Sequence, residues 1–421
     1  MDFHDLEAAA ARNPALASRF RFSRLCIVLR NGARDWTLTI RDGQYSVADG
    51  SASDADFTLE ASYADWAAFV SERPPVGYQT LFAMATIDRL KLSGPRMDQF
   101  SRHQMGLEML LQGLRPLPPQ LPRLALGETG IEPIVGRYIR MTIGGVSHRI
   151  YFEEAGEGIP LLCLHTAGAD GRQYRALFND PAITSRFRVI AFDLPQHGKS
   201  SPPEGFQSAV HVLTTDSYVQ TIMAFKKALG LQQPVVMGCS IGGRVVLHLA
   251  LRHGAEFRAA VGLQSATHAE NHAFPQLSDQ SPLARPDMNA PDIAASSVWS
   301  LMGPNTPLRE RWETLWYYMQ GGPGVFIGDL FYYFADGDLR NGLAEPLRDQ
   351  RCPIYLLTGE YDLSATPAMT ADLARQIDAR HFQVVPGVGH FPMSEDPETF
   401  VEYLLPVLDK IAAQEVRVGA A

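Results

Sequence analysis

The spacing of hydrophobic residues changes near the end of the first third of the chain. Before that point the strand candidates are short. In residues 36–40, for example, apolar and polar side chains alternate, as in a strand with one buried face. Beyond residue 130 the candidates are continuously apolar, as in residues 160–164, which is typical of strands buried on both faces of a sheet. The pattern therefore predicts two domains of different architecture.

The first part combines short strands with amphipathic helices. Asp42-Gly43 predicts a hairpin turn after residues 36–40, and Ser62 is a helix cap before apolar residues at helical spacing. The predicted strands cover residues 26–29, 36–40, 45–47, 56–60 and 89–94, and the predicted helices start at residue 63 and cover 79–87 and 97–111. This order predicts a small α+β domain.

Four motifs in this part resemble the sterol carrier protein type 2 family. They are W-x-L-x-I-x-D-G at residues 36–43, A-D-F-T-L at 55–59, S-x-x-D-W at 62–66 and L-K-L-S-G at 90–94. The resemblance covers roughly residues 5–112 and implies an apolar ligand between sheet and helices. The alternative, slightly favoured by apolar stripes at helical spacing, is that the domain only packs against its neighbour or mediates dimerisation. A homodimer is therefore left open.

A proline-rich stretch separates the two parts. Residues 115–123 read RPLPPQLPR, with four prolines in nine residues. Proline neither continues a helix nor pairs within a central strand, so this stretch predicts an extended spacer. We expect a sterol-carrier-protein-like domain at residues 1–115, a linker at 116–129 and a second domain at 130–415.

The second part alternates apolar strands with helices. The predicted strands cover residues 149–154, 160–164, 188–193, 234–238, 259–263, 353–358 and 383–386, and helices are predicted at 217–229, 242–253 and 367–377. Such alternation predicts an α/β domain whose mostly parallel sheet is covered by helices on both faces.

One motif in this part carries chemistry. Residues 238–242, Gly-Cys-Ser-Ile-Gly, fit G-x-S-x-G between a predicted strand and a predicted helix. This places Ser240 on a sharp turn with its hydroxyl exposed, and the flanking glycines remove side chains that would collide with the neighbouring strand and helix. Ser240 is therefore the candidate nucleophile. Cys239 beside it is interpreted as a packing residue.

A serine nucleophile needs a base and an acid to orient that base. Asp362 and His390 follow two successive predicted strands, at the sheet edge where open sheets place ligands. We expect Ser240, Asp362 and His390 to form a catalytic triad, with Glu360 as a less favoured acid. His165 and His197 also lie near this edge, and we interpret them as structural residues because no metal-ligand partner lies at suitable spacing.

The elbow, acid, histidine and oxyanion loop occur in the order of the α/β-hydrolase superfamily, which residues of about 130–415 resemble. The resemblance implies an α/β-hydrolase fold with a mostly parallel sheet and an inserted cap, here at about 266–348. By position, the amides of Ala167 and Ile241 form the oxyanion hole. Two residues depart from the family's pattern, since Thr166 and Gln196 replace glycines. Thr166 either adds a hydroxyl donor or reshapes the loop.

The cap sequence is rich in aromatic residues. We expect Trp312, Trp316, Tyr317, Phe331 and Phe391 to line the substrate pocket; the alternative is that the cap aromatics bury the cap on the hydrolase core. The pocket predicts a small hydrophobic substrate, aromatic or cyclic, with an ester-like bond. The same triad also serves thioester, amide, lactone or carbon–carbon (diketone) cleavage, and a non-enzymatic binder of apolar ligands is a third interpretation.

Composition narrows the class of protein. Lys and Arg number 37 and Asp and Glu 46, a formal charge of −9, which argues against nucleic acid as a partner. The four scattered cysteines form no metal-binding spacing, and no apolar run approaches the length of a membrane span. We therefore expect a cytoplasmic enzyme that needs neither a metal nor an organic cofactor.

Overall fold

The computed structural model describes residues 2–116, 130–269 and 282–414, the last range without residues 284, 286, 323, 341, 343, 345, 350 and 351. Most of the linker predicted at 116–129 lies outside the described residues. The described chain contains two separate sheets. Each belongs to one of the two parts that the hydrophobic pattern distinguishes.

The N-terminal part is a small α+β unit. Its five strands pair in the order β3-β2-β1-β4-β5, and its helices pack on the sheet around buried aromatic side chains such as Phe3, Trp36 and Trp66. The elements are α1 (Asp5–Ala11), α2 (Pro14–Arg19), β1 (Arg24–Arg30), β2 (Asp35–Arg41), β3 (Gln44–Asp49), β4 (Phe57–Glu60), α3 (Tyr63–Phe69), α4 (Leu81–Thr86), β5 (Lys91–Ser93) and α5 (Met97–Gln112). Every strand predicted here is present, and the Ser62 hydroxyl caps α3 by accepting from the Asp65 amide.

The second part is an α/β-hydrolase fold built on an eight-stranded sheet. The strands are β6 (Val135–Ile143), β7 (Val146–Ala155), β8 (Ile159–Leu164), β9 (Phe187–Phe192), β10 (Val235–Cys239), β11 (Ala259–Leu263), β12 (Ile354–Gly359) and β13 (His381–Val385). Their order is β13-β12-β11-β10-β8-β9-β7-β6. Pairs from β9 to β13 are parallel, whereas β7 and β6 are antiparallel additions. The pattern did not predict β6, because residues 135–139 are mostly exposed and lack an apolar run.

Helices cover both faces of this sheet, which explains why its central strands are apolar throughout. The α-helices of this part, including those of the cap, are α6 (Arg175–Phe178), α7 (Pro181–Thr184), α8 (Thr215–Ala228), α9 (Ile241–His253), α10 (Ala290–Leu301), α11 (Leu308–Met319), α12 (Val325–Phe331), α13 (Pro367–Gln376), α14 (Pro392–Glu395) and α15 (Pro397–Ala412). Helices α10 to α12 fall in the stretch predicted as a cap and lead into a π-helical turn, Tyr332–Asp336. No helix of the described ranges is long and apolar enough to cross a membrane.

One hydrophobic cluster contains side chains from both parts of the chain. Side chains of the cap helices, including Val298, Trp299 and Leu315, join the cluster formed by the N-terminal helices and sheet. Polar contacts reinforce this interface: Arg19 pairs with Asp292 at 3.3 Å. The cap therefore packs against the apolar helical face of the N-terminal domain.

Candidate active site

The turn between β10 and α9 holds Ser240 in a strained backbone conformation. Its φ of 60° and ψ of −115° lie where non-glycine residues are rare, and the packed strand and helix on either side impose them. A Cβ on Gly238 would lie 2.5 Å from the Gly242 carbonyl carbon, and one on Gly242 would lie 2.5 Å from the Leu164 carbonyl oxygen. Both glycines of the motif are therefore required for this turn.

Asp362 and His390 meet at the same sheet edge. Asp362 follows β12, His390 follows β13, and His390 Nδ1 lies 2.9 Å from Asp362 Oδ1. Both side chains are buried, as is Ser240, which is 4% exposed. Since Nδ1 faces the carboxylate, the other ring nitrogen of His390 is left for a second partner. Glu360 instead accepts from the Gly387 amide at 2.8 Å and pairs with Arg73.

Two side chains that the sequence did not single out hold this pair. Ser364 Oγ lies 3.1 Å from both Asp362 Oδ1 and His390 Nδ1. Glu395, fully buried on α14, accepts from the amides on either side of His390, those of Gly389 at 2.9 Å and Phe391 at 2.8 Å. Burial raises the pKa of Glu395. A serine or a glutamate a few residues from a predicted site carries no distinctive spacing, so sequence alone offered no signal for either.

The loop after β8 presents an amide near Ser240. Among the described residues, no protein group accepts from the Ala167 amide. Ile241 is the first residue of α9, where amides have no partner within the helix. The Thr166 amide, by contrast, donates to Gln173 Oε1 at 3.0 Å, and its hydroxyl contacts Gln173 and the Tyr318 hydroxyl. Thr166 therefore ties the loop to the cap through side-chain contacts.

A buried histidine–aspartate network lies behind this loop. Asp329 of α12 accepts from the Gly168 amide at 2.8 Å, and His197 Nε2 and His211 Nε2 lie 2.8 Å from its two oxygens. His197 Nδ1 lies 3.0 Å from the Pro195 carbonyl oxygen, so both ring nitrogens face acceptors, a geometry that favours the protonated ring. Within the described residues, these three side chains are the group whose spacing also suits a metal ion.

The pKa values in this region follow from burial and charge. Burial opposes the charged form of His197, but the Asp329 charge and the hydrogen bonds outweigh it, so the pKa of His197 is raised. Burial likewise opposes ionised Asp329, but both histidines hold its pKa well below the ordinary value. Burial, with the neighbouring His197 charge, lowers the pKa of His165 to about 4. His165 accepts from the Leu194 amide, as expected for a neutral structural histidine.

Ser240 and His390 line one cavity. The hydrolase part also contributes Ala167, Thr166 and Ser364, and the cap contributes Val298, Leu301, Tyr318, Phe326, Leu330 and Tyr333. Two further lining residues, Phe82 and Thr86, come from α4 of the N-terminal domain. No Arg, Lys, Asp or Glu occurs among the described residues that line it.

Of the aromatic residues predicted for the pocket, the cavity is lined by Phe391. Trp316 and Phe331 are 55% and 36% exposed, respectively. Trp312 packs on Trp299 with ring centroids 5.6 Å apart, and Tyr317 is buried beside the Arg172 side chain. These four do not line the cavity, whereas Tyr318 and Leu330, next to Tyr317 and Phe331 in the chain, do.

Comparison with known proteins agrees with both parts of the fold. Residues 161–403 match the model of the alpha/beta hydrolase family, and residues 3–98 match that of the SCP-2 sterol transfer family. Both resemblances predicted from sequence motifs are thereby confirmed.

Three individual proteins illustrate these similarities. The chain is 37% identical over 101 residues to the dihydrolipoyllysine-residue acetyltransferase component of the acetoin cleaving system of Pseudomonas putida; the match covers 24% of this chain but only a quarter (25%) of that relative's length. It is 26% identical to the 2-hydroxy-6-oxo-6-(2'-aminophenyl)hexa-2,4-dienoic acid hydrolase of Metapseudomonas resinovorans, over 68% of this chain and 95% of that protein. A thermophilic esterase from Thermogutta terrifontis shares the fold with a TM-score of 0.54 and 20% identity, over 66% of this chain and 100% of the esterase. With the family model matched over more than half of its length, the chain belongs to the α/β-hydrolase family.

Proposed function

We propose that this protein is a serine hydrolase that cleaves an ester-like bond in a small, uncharged, hydrophobic substrate through an acyl-enzyme. One observation carries the proposal. Ser240, on its strained turn, shares a cavity with His390, whose Nδ1 lies 2.9 Å from the Asp362 carboxylate. This is the arrangement that activates a hydroxyl for attack on a carbonyl carbon.

The reaction proceeds in two steps. His390 takes the proton of the Ser240 hydroxyl as Oγ attacks the carbonyl carbon, and Asp362 stabilises the imidazolium that forms. The amides of Ala167 and Ile241 donate to the oxyanion. The ester bond then breaks, and the leaving alkoxide takes the proton from His390. Water attacks the acyl-enzyme with His390 again as base, which releases the carboxylic acid and restores Ser240.

The lining of the cavity supports an uncharged apolar substrate. Its described lining residues are mainly aliphatic and aromatic, and none is Arg or Lys, the side chains that would pair with a carboxylate or phosphate. A compact aromatic or cyclic group of the substrate would bury apolar surface there, and each Å² removed from water stabilises the complex by about 25 cal/mol.

Other bonds suit the same triad. Thioester, amide, lactone and diketone cleavage remain alternatives. Among them, diketone cleavage is supported by the relative named as hydrolase of an aminophenyl-oxohexadienoic acid. That relative's substrate is an acid, whereas the cavity described here lacks a cationic partner for one, so an uncharged ester is the better fit. A non-enzymatic binder of apolar ligands would leave the strained turn at Ser240 without a role. A cytoplasmic location and a homodimer stay predictions from the sequence.

Hydrolysis of a graded panel of p-nitrophenyl and alkyl esters and thioesters tests this proposal. The wild-type protein should turn over some members, and Ser240→Ala should lose at least about a thousandfold in kcat, because the residual rate would come from binding alone. Ser208→Ala, which changes an exposed serine, is the matched control and should keep the wild-type rate. Turnover retained by Ser240→Ala would exclude Ser240 as the nucleophile.

A further inference from the structure

The N-terminal domain supplies part of the cavity wall. Phe82 and Thr86 lie on the short helix α4 and line the same cavity as Ser240 and His390. Neither residue belongs to the hydrolase part or to its cap. A ligand bound beside Ser240 is therefore enclosed by a domain whose sequence resembles a different family.

Helix α4 is held from both sides by buried polar contacts. Glu108 of α5 is fully buried and accepts from the amides of Leu81 at 3.0 Å and Phe82 at 3.1 Å. Ser300 Oγ of the cap helix α10 lies 3.4 Å from the same carboxylate, and the Thr80 hydroxyl donates to the Ser300 carbonyl oxygen at 3.2 Å. These contacts hold the Phe82 backbone between α5 and the cap, because the buried Glu108 carboxylate would lose both amide donors if α4 moved away.

The same domain also contacts the loop that carries Asp362. The Tyr361 hydroxyl donates to the Pro74 carbonyl oxygen at 3.0 Å, and Gln79 Nε2 donates to the Tyr361 carbonyl oxygen at 3.4 Å. Arg73 and Glu360 form an ion pair at 3.6 Å. The domain is therefore anchored at the site on two sides, at the cavity and at the acid loop.

We propose that α4 of the N-terminal domain is a specificity element of the active site, in which Phe82 and Thr86 limit the size of the apolar group that binds beside Ser240. The substrate class is an uncharged ester with a compact aromatic or cyclic group. A bulkier group meets the Phe82 ring, whose helix is held in place by Glu108. This inference rests on the proposed hydrolase function for its kinetic test, but its binding test does not.

The kinetic test compares p-nitrophenyl esters of increasing acyl size on the full chain. Phe82→Ala should raise kcat/KM for the bulkiest ester relative to the acetate by at least about tenfold, and Phe82→Trp should lower the same ratio. A single methylene group that fits or does not fit an apolar pocket already changes kcat/KM by about tenfold or more. Phe22→Ala is the matched control: it removes a phenyl ring from the same domain at a site that is 82% exposed, so the ratio should stay at the wild-type value.

A fluorescence titration with the uncharged apolar dye Nile red keeps the inference separate from catalysis. The dissociation constant should change at least threefold for Phe82→Ala or Phe82→Trp and stay unchanged for Phe22→Ala. If the wild type hydrolyses no ester but the dye affinity responds to Phe82, the proposed function fails while the role of α4 stands. If the ester ratio and the dye affinity of folded Phe82 variants both match the wild type, the role of α4 is overturned.

Discussion

At the scale of single residues, Asp329 connects the cap to the loop that carries Ala167. Its carboxylate lies 0% exposed between the Gly168 amide, His197 and His211. Hydrogen bonds to a buried charge are stronger than neutral ones, and removing one partner leaves the other charge unpaired. The position of the loop that carries Ala167 therefore depends on the buried pair of Asp329 and His197.

Asp329→Asn should destabilise the protein in a pH-dependent way. The pKa of His197 is raised above 6.5, so its contribution is complete below pH 6.5 and is lost as pH rises through the raised value. The pKa of Asp329 is lowered below 3.8, so its contribution is present above that pH and is lost only on further acidification. Denaturant unfolding should show a gap of about 3 kcal/mol between variant and wild type near pH 5.5, which narrows by pH 9.

Other titratable groups lie beside this pair. Burial lowers the pKa of His165 to about 4, and burial and the Asp170 charge raise the pKa of Asp193 to about 7. His211 also faces the Asp329 carboxylate. The control is Asp292→Asn, which makes the same change in a partly exposed pair whose partner is an arginine, Arg19, instead of a histidine. A stability gap for Asp329→Asn that is constant from pH 5.5 to pH 9 would contradict an ionised His197–Asp329 pair.

At the scale of elements, the sequence predicted strands and helices better than the direction of individual side chains. The apolar runs place β8 to β12 to within a residue or two, because a strand buried on both faces allows few polar residues. For the amphipathic cap helices, the phase depends on what packs against them. In α11, Tyr318 faces the cavity while Trp316 is 55% exposed. Nothing local in the sequence distinguishes these two positions.

In the π-helical turn Tyr332–Asp336, the directions of the side chains differ from those of an α-helix. An extra residue in the turn shifts every following side chain around the helix axis, so an α-helical count from α12 does not apply. Phe331, which precedes the turn, is 36% exposed, whereas Tyr333 and Phe334 within the turn line the cavity.

Helix α10 joins the cap to the N-terminal domain through Trp299. This side chain is 5% exposed, and its Nε1 donates to Gln112 Oε1 of α5 at 3.4 Å. Trp299→Ala should lower the free energy of unfolding by about 3–5 kcal/mol, as expected for a large cavity in a packed core. Denaturant unfolding followed by circular dichroism measures this change.

The control for that variant is Trp316→Ala, which removes the same side chain from an exposed position on the neighbouring helix and should change stability by no more than about 0.5 kcal/mol. Equal effects of the two substitutions would mean that the interface between cap and N-terminal domain contributes little to stability.

At the scale of the whole molecule, the N-terminal domain and the hydrolase part build one site. Motifs of fixed spacing reveal each part separately, since both the elbow around Ser240 and the hairpin at residues 36–43 are local patterns. Phe82 and His390 line one cavity although they lie far apart in sequence, and no local pattern encodes this arrangement. The interface is apolar on both sides, so from sequence it looked like the ordinary core of each domain.

Reaction with diisopropyl fluorophosphate tests whether Ser240 is the nucleophile proposed for this site. The phosphoryl group attached to an activated serine is not released by water on the timescale of the experiment, so intact mass and peptide mapping locate it. We predict one adduct per chain, on the peptide that contains Ser240, and none in Ser240→Ala. An adduct at another residue, or one of equal yield in Ser240→Ala, would show that Ser240 is not the nucleophile.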